Sequence, residues 1–219
     1  MQIISVNVGL PRDVTYRGTT VRTGIFKEPV EGEVSVRTLN LDGDRQADLT
    51  VHGGADKAVY AYPAEHYAYW REQLPDTELS WGNFGENLTV TGLREDAVFI
   101  GDRLRLGSAV LEVTQPRMPC YKLAMRFRRD EMIKRFLASR RSGLYFRVLE
   151  EGEVSAGSSV EILTRDPNQI SVADMITIYV DRAAPPELLN RALHVDALPE
   201  SWKAWLRRRS AARVVESSR

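Results

Sequence analysis

The chain has one cysteine, Cys120, and it stands in Gln115-Pro-Arg-Met-Pro-Cys-Tyr-Lys122 between two cationic side chains, Arg117 and Lys122. A thiolate attacks electrophiles and binds soft metals, and nearby positive charge favours that form over the thiol. Pro116 and Pro119 restrict the local backbone and remove two donors. That excludes the middle of a central strand and puts the cysteine on a rigid loop just after one. The loop chemistry suits a working thiolate and an inert buried cysteine equally well. A lone cysteine allows no disulfide within the chain, no all-cysteine zinc site and no iron–sulfur cluster held by four thiolates. Redox chemistry here would draw its electrons from another protein or a diffusible reductant.

Three further segments could touch a ligand. In His52-Gly53-Gly54 the adjacent glycines let backbone approach closely and expose N–H groups, which suits an anion or a flat heterocycle, and Lys57 could meet a phosphate. The same residues also suit a plain tight turn. Neither the GxGxxG nor the GxxxxGK[ST] spacing occurs, so no Rossmann or P-loop assignment follows. Asn87, in Trp81-Gly-Asn-Phe-Gly-Glu-Asn-Leu88, can donate and accept as recognition of a pterin or purine edge requires, or can bond its own backbone in a turn. Thr23-Gly-Ile-Phe-Lys27 is a phosphate or cofactor contact or an ordinary loop. His66 and His194 read as structural, and three histidines so far apart do not make a three-histidine zinc site. No GxSxG elbow or HExxH helix is present.

These residues need a scaffold, and the pattern predicts a mainly β one. Residues 2–8 and 33–39 have strand composition, and 103–114 form a hairpin about Gly107-Ser108. A second hairpin is expected over 143–163, with Gly152 near its turn. Short strands with frequent Gly and Pro between them favour a closed or nearly closed barrel. A helix is expected from Pro63 to about Leu74 with Tyr67, Trp70 and Leu74 on one face, and another over about 129–139 with Met132, Ile133, Phe136 and Leu137 as its stripe. Arginines 126, 128, 129, 140 and 141 flank the second. Beyond Asp166-Pro167-Asn168 three short helices follow, the first opened by a capping box, Ser171 to Asp174, and the tail after Arg209 is expected to fray. About 50 residues are marginal alone, so this piece leans on the barrel or on a partner subunit, and a homodimer is one way to cover it.

Composition removes several function classes. The 219 residues suffice for one good-sized domain and an appendage, and 43% are hydrophobic, as in globular proteins. Thirty basic residues balance thirty acidic ones, which gives no overall attraction to nucleic acid or to anionic membranes. No apolar run is long enough to span a bilayer, and Met1 to Asp13 lack the pattern of a secretion signal, so a cytoplasmic location is expected.

Five stretches then fall into a familiar order: TGIFK from Thr23, DGDRQADLTVHGGADKAVYAYPAEHY from Asp42, FGENLTVTGL from Phe84, IGD from Ile100 and QPRMPCYKL from Gln115. Together with the helical tail they resemble the MOSC domain family, named for the C-terminal domain of molybdenum cofactor sulfurase. The resemblance is to its bacterial stand-alone branch, which carries a three-helix C-terminal extension and is linked to detoxification of N-hydroxylated base analogues. It implies a MOSC-type β-barrel with peripheral helices over residues 1–165 and a three-helix subdomain over 166–219. It implies a molybdenum cofactor (molybdopterin) whose metal is ligated by Cys120. His52, Gly53 and Gly54 would line the cofactor or substrate pocket, with His52 a candidate proton donor. Thr23, Lys27, Lys57, Asn87, Arg117 and Lys122 are the other expected cofactor contacts. The activity implied is reduction of an N-hydroxylated small molecule to its amine, with electrons from a separate reductase. The alternative is a cofactor or sulfur carrier without turnover of its own.

Overall fold

The computed structural model describes the backbone of residues 1–48 and 53–217 and the side chains of 1–48 and 53–212. Its strands are β1 (Gln2–Val8), β2 (Arg12–Tyr16), β3 (Thr19–Thr23), β4 (Glu28–Val30), β5 (Val34–Val36), β6 (Val59–Pro63), β7 (Leu88–Thr91), β8 (Arg103–Leu106), β9 (Ala109–Pro116), β10 (Leu144–Glu150), β11 (Gly152–Val154) and β12 (Val160–Thr164). The helices are α1 (His66–Gln73), α2 (Tyr121–Phe127), α3 (Met132–Ser139), α4 (Val172–Val180), α5 (Pro186–Leu193) and α6 (Glu200–Ser217). Eight strands form one sheet in the order β12-β8-β9-β10-β6-β7-β1-β4, while β5 with β11 and β2 with β3 make two small ones.

The mainly β architecture is as expected, but the closed barrel is not found. The ladder among the described residues is open, with β12 and β4 at its edges. Near one end, β1 meets the chain ahead of β12 through an isolated bridge, Gln2 to Ser159, and a backbone bond from Ile3 N to Ser158 O at 2.9 Å. Gly157 N donates to Ile3 O at 2.8 Å and Val160 N to Met1 O at 3.0 Å on either side of the bridge, but the turn at Ser155–Ser158 ends the extended backbone and β1 and β12 form no ladder among the described residues.

Two other expectations change. Pro63 closes β6 rather than opening a helix. It lies opposite Val90 in the parallel pairing of β6 with β7, and Ala64 N, which proline could not replace, donates to Val90 O at 2.7 Å. The helix begins later, at His66, and still buries Tyr67, Trp70 and Leu74 on or beside it. The second hairpin dissolves into remote pairings: β10 pairs with β9 and β6, β11 with β5, and β12 with β8. The first hairpin, β8–β9, stands as expected, with Leu106 opposite Ala109.

Two apolar clusters position the site. The sheet contributes Leu104, Leu111, Val113 and Phe146 to one of them, and the C-terminal helices add Met175, Ile178, Leu189, Leu198 and Leu206. The three helices therefore share the core of the sheet, which resolves their marginal size. Ser171 and Asp174 form the expected capping box, each bonding the other's backbone N–H at 2.9 Å. Helix α6 continues past Arg209 to Ser217, so the backbone stays helical where fraying was expected. The second cluster is aromatic: Tyr62, Tyr67, Trp70, Phe84, Phe127 and Phe136, with Leu123 and Met132. Burying each such ring contributes about 1.5–3 kcal/mol relative to exposure, which anchors α1, α2 and α3 against one another. Among the described residues no helix is long and apolar enough to cross a membrane.

Candidate active site

Cys120 lies where β9 hands over to α2. Its carbonyl accepts the first bond of that helix, from Leu123 N at 2.9 Å, and the residue itself is extended and half-buried. Leu123 and Phe127, sunk in the aromatic cluster, hold the helix and so fix where the thiol begins.

The thiol opens into a cavity whose lining includes Lys27, Arg45, Lys57, Arg117 and Lys122, and no carboxylate among its described lining residues. Six of the expected contacts, Thr23, Lys27, Lys57, Asn87, Arg117 and Lys122, converge there with Cys120. They come from separate elements. Lys27 and Thr23 flank the segment between β3 and β4, Asn87 precedes β7, and Arg117 and Lys122 bracket the cysteine. Gly53 and Gly54 do not line the cavity. Gly54 instead starts a 3-10 turn, Ala55–Lys57, with a φ of +92° that favours glycine, and its carbonyl accepts Lys57 N at 3.0 Å. Its role is to present Lys57. His52, the expected proton donor, lies outside the described residues, as do residues 49–51.

Each wall has an identifiable support. Buried Asp44 accepts from Lys27 Nζ, from Gly9 N at 3.0 Å and from Asn87 Nδ2 at 2.8 Å. Asn87 Oδ1 in turn accepts Tyr60 N at 3.1 Å. Both ends of the Asn87 amide are thus committed to the protein, and Asn87 acts here as a strut rather than as a reader of a heterocycle edge. Burial pushes the Lys27 ammonium below its ordinary value, opposed by the Asp44 charge. Gly24 lies against the backbone carbonyl of Arg45, an approach that any Cβ would block. That contact brings Arg45 to the rim. The 3-10 turn is held from behind: Asp56 O accepts Thr114 Oγ1 at 2.7 Å and Gln115 Nε2 at 3.3 Å, and Asp56 Oδ1 accepts Arg147 Nε at 3.0 Å. Trp202 Nε1 donates to Gln115 Oε1 at 2.7 Å, which ties α6 to the same support. Desolvation lowers the Lys57 pKa, opposed by Asp56.

Glu86 organises the neighbouring loop. Its fully buried carboxylate accepts from Tyr67 Oη, Gly82 N at 2.9 Å, Phe84 N at 3.0 Å and Thr89 Oγ1 at 3.0 Å. Burial raises its pKa while those donors pull it back. Glu86→Gln puts an amide N–H where a donor already points, so a loss of about 1–3 kcal/mol is expected, read as a lower urea midpoint. An unchanged midpoint would show that the loop does not depend on these bonds.

Arg117 is the residue whose geometry asks for a ligand. Its side chain is buried, with the guanidinium 5.2 Å from the ring centres of both Tyr60 and Phe136, yet Nη1 donates to no acceptor among the described residues. A buried, unpaired guanidinium nitrogen beside other cations fits an anionic group bound in the cavity. Desolvation drives the Tyr60 phenol well above its ordinary pKa, against the opposing charge of Arg117. Tyr60 Oη therefore stays protonated and donates to Ser142 O at 2.8 Å. Arg45, Tyr60 and Tyr145 escaped the sequence reading: Arg45 sits in an acidic stretch, Tyr145 fell within the expected second hairpin, and nothing local singled out Tyr60. His66 and His194 are structural as expected. His66 Nε2 lies 2.7 Å from a Glu95 carboxylate oxygen, and His194 Nδ1 lies 2.7 Å from Asn190 O.

Comparison with known proteins places this geometry in context. A family model for the MOSC domain matches residues 48–161, and one for the YiiM-like, 3-alpha helix domain matches residues 170–211. The chain is 47% identical over 202 residues to the uncharacterized protein YflK of Bacillus subtilis, covering 92% of this chain and 91% of that one. It is 36% identical over 175 residues to a protein of Gibberella moniliformis called a reductase, covering 78% of this chain but only 31% of that protein. Among solved structures, YiiM from Geobacillus stearothermophilus superposes with a TM-score of 0.79 at 35% identity, covering 95% of this chain and 98% of that one.

Proposed function

The chain belongs to the MOSC domain family, and from that premise we propose that it is a molybdenum-cofactor-dependent reductase of N-hydroxylated compounds. The observation that carries this reading is the cavity itself, a half-buried thiol among Lys27, Arg45, Lys57, Arg117 and Lys122, with a buried guanidinium nitrogen that has no acceptor among the described residues. A phosphate-bearing cofactor carries roughly −1.5 to −2 charges on that group alone, which such a lining would compensate. The similarity to a protein called a reductase supports turnover over storage.

In this reading Cys120 supplies a thiolate to the metal, and Arg117, Lys57 and Lys122 hold the anionic part of the cofactor. When bound, the cofactor supplies an oxygen-accepting metal and a route for two electrons. Arg117, clamped between Tyr60 and Phe136, orients that anion without reorganising. Tyr60 keeps its proton and braces the cavity wall through Ser142. The balanced reaction is R-NHOH plus two electrons and two protons giving R-NH2 and water.

Arg117→Met keeps an unbranched apolar stem and removes the guanidinium with its charge. Cofactor retention is expected to fall about 10- to 100-fold, the worth of one or two hydrogen bonds to a charged group, with little change in folding. Equal retention measured by molybdenum analysis after gel filtration would remove Arg117 from the site. The activity is tested with protein from cells that make the cofactor, an N-hydroxylated purine and an artificial electron donor. One amine formed per two electrons is expected. Protein that holds cofactor yet reduces no N-hydroxylated compound would instead be a carrier.

A further inference from the structure

A second cationic feature lies on the other side of the cavity wall. Arg12, Arg17, Arg126, Arg128 and Arg129 line a groove between β2 and the turn joining α2 to α3. Three acidic residues share it, and each has an arginine nearby: Asp130 is 2.7 Å from Arg17, Asp13 3.3 Å from Arg22 and Glu131 3.9 Å from Arg129. Among the described residues no carboxylate lies within 4 Å of Arg12, Arg126 or Arg128. In a chain of zero net charge this excess is local.

The groove is also built. Arg12 and Arg126 both lie over the Phe26 ring, 4.0 and 4.9 Å from its centre, so two like charges share one apolar surface. Arg126 is pinned by a bond to Asn83 Oδ1, and its Nε is buried without an acceptor among the described residues. Desolvation and then the Arg12 charge lower the Arg126 pKa, which marks the pair as short of negative charge. Beside the groove, exposed Tyr121 stacks on Tyr16, the ring centres 6.5 Å apart.

Its position relative to the cavity matters most. Phe26 lines the groove, while its neighbours Ile25 and Lys27 line the cavity that holds Cys120. Helix α2 is divided in the same way, with Lys122 in the cavity and Met125 and Arg126 in the groove. The two therefore share the Ile25–Lys27 segment and helix α2 as walls. The single cysteine rules out a four-thiolate cluster in this chain, and no cluster of three or more metal-ligating side chains occurs among the described residues. Electrons must therefore enter from outside.

We propose that this groove docks an acidic electron-donor protein, a small flavin or iron–sulfur protein whose carboxylates pair with Arg12, Arg126 and Arg128. The inference rests on the reductase reading. The donor is oxidised by two electrons in total, two protons come from solvent, and the substrate loses its hydroxyl oxygen as water. Separate carboxylates on a protein fit between Asp13, Asp130 and Glu131, whereas the continuous phosphate backbone of a nucleic acid would meet all three.

The test compares wild-type holoenzyme with an Arg12→Glu/Arg128→Glu variant, both positions being exposed and outside the cavity. Reduced flavodoxin and reduced methyl viologen serve as alternative donors, and flavodoxin and a DNA duplex are titrated in a calorimeter. The variant is expected to lose about 10- to 100-fold in kcat/KM with flavodoxin, as for electrostatically steered encounters, and to lose flavodoxin binding. Its viologen-driven rate and molybdenum content should match wild type. Wild-type rates with flavodoxin should fall with added salt. Equal flavodoxin rates and binding in both proteins would overturn the proposal, as would charge-dependent binding of the duplex alone. If viologen drives no turnover even in wild type, the reductase reading fails, and the calorimetric arm still decides whether the groove binds an acidic protein.

Discussion

Cys120→Ala is expected to abolish reduction of N-hydroxylated substrates, a loss above the roughly 100-fold that even an outer partner of a metal ligand can cost. Stability should change little, within about 0.5 kcal/mol, because the residue is half-buried and belongs to neither apolar cluster. Helix α2 starts with a backbone bond from Leu123 N to Cys120 O, which alanine makes equally well. Leu123 and Phe127 keep the helix in place. Cys120→Ser is the sharper control, since it nearly preserves size but replaces a soft sulfur ligand with a hard hydroxyl oxygen. Steady-state rates with an artificial donor, beside urea unfolding of all three proteins, separate chemistry from folding. Substantial turnover in both variants would take the thiol out of the reaction.

Asp44→Ala carries the second large effect, and it falls on stability. Asp44 is buried and serves Lys27, Gly9 and Asn87 together. Its removal strands the buried Lys27 ammonium, a loss of about 3–5 kcal/mol for breaking a buried pair. Asn87 loses its anchor at the same time, so the wall carrying Tyr60 N loosens. The pH dependence has a definite sign. Burial already holds the Lys27 pKa below its ordinary 10.5, and losing Asp44 removes the charge that opposed this. Between the depressed folded value and 10.5 the unfolded chain binds more protons, so the variant should regain stability as pH rises through that window. Lys27→Met in the same chain should restore most of the stability at neutral pH without restoring the cavity's charge. Urea midpoints across pH check this. A variant as stable as wild type at pH 7 would contradict the pairing.

The candidate site was partly legible because the residue types that mark it stand out. One cysteine flanked by cations marked itself, and Lys27, Lys57, Arg117 and Lys122 do converge on it. Arg45 was hidden by acidic neighbours, and Gly24, whose lack of a Cβ admits its carbonyl, gave no local sign of the contact. Asn87 was read for its donors and acceptors, but only the fold reveals that Asp44 and Tyr60 N occupy them. The errors in the scaffold share a cause. Pro63 satisfies the rule for a helix start and equally ends a strand whose next residue makes the bond. Gly152 looks like a hairpin turn, yet β10, β11 and β12 each find partners far along the chain. Local pattern names a strand, while its neighbour is set by which remote surface completes the core.

The cationic cavity around Cys120 is proposed to hold a molybdenum cofactor. The most direct measurement is the molybdenum and pterin content, per chain, of protein purified from cofactor-producing cells and desalted, wild type beside Cys120→Ala. Near one equivalent of each in wild type, with molybdenum lost from the variant, is the predicted result. Wild-type protein free of both, or a variant that keeps its molybdenum to the same level, would contradict it.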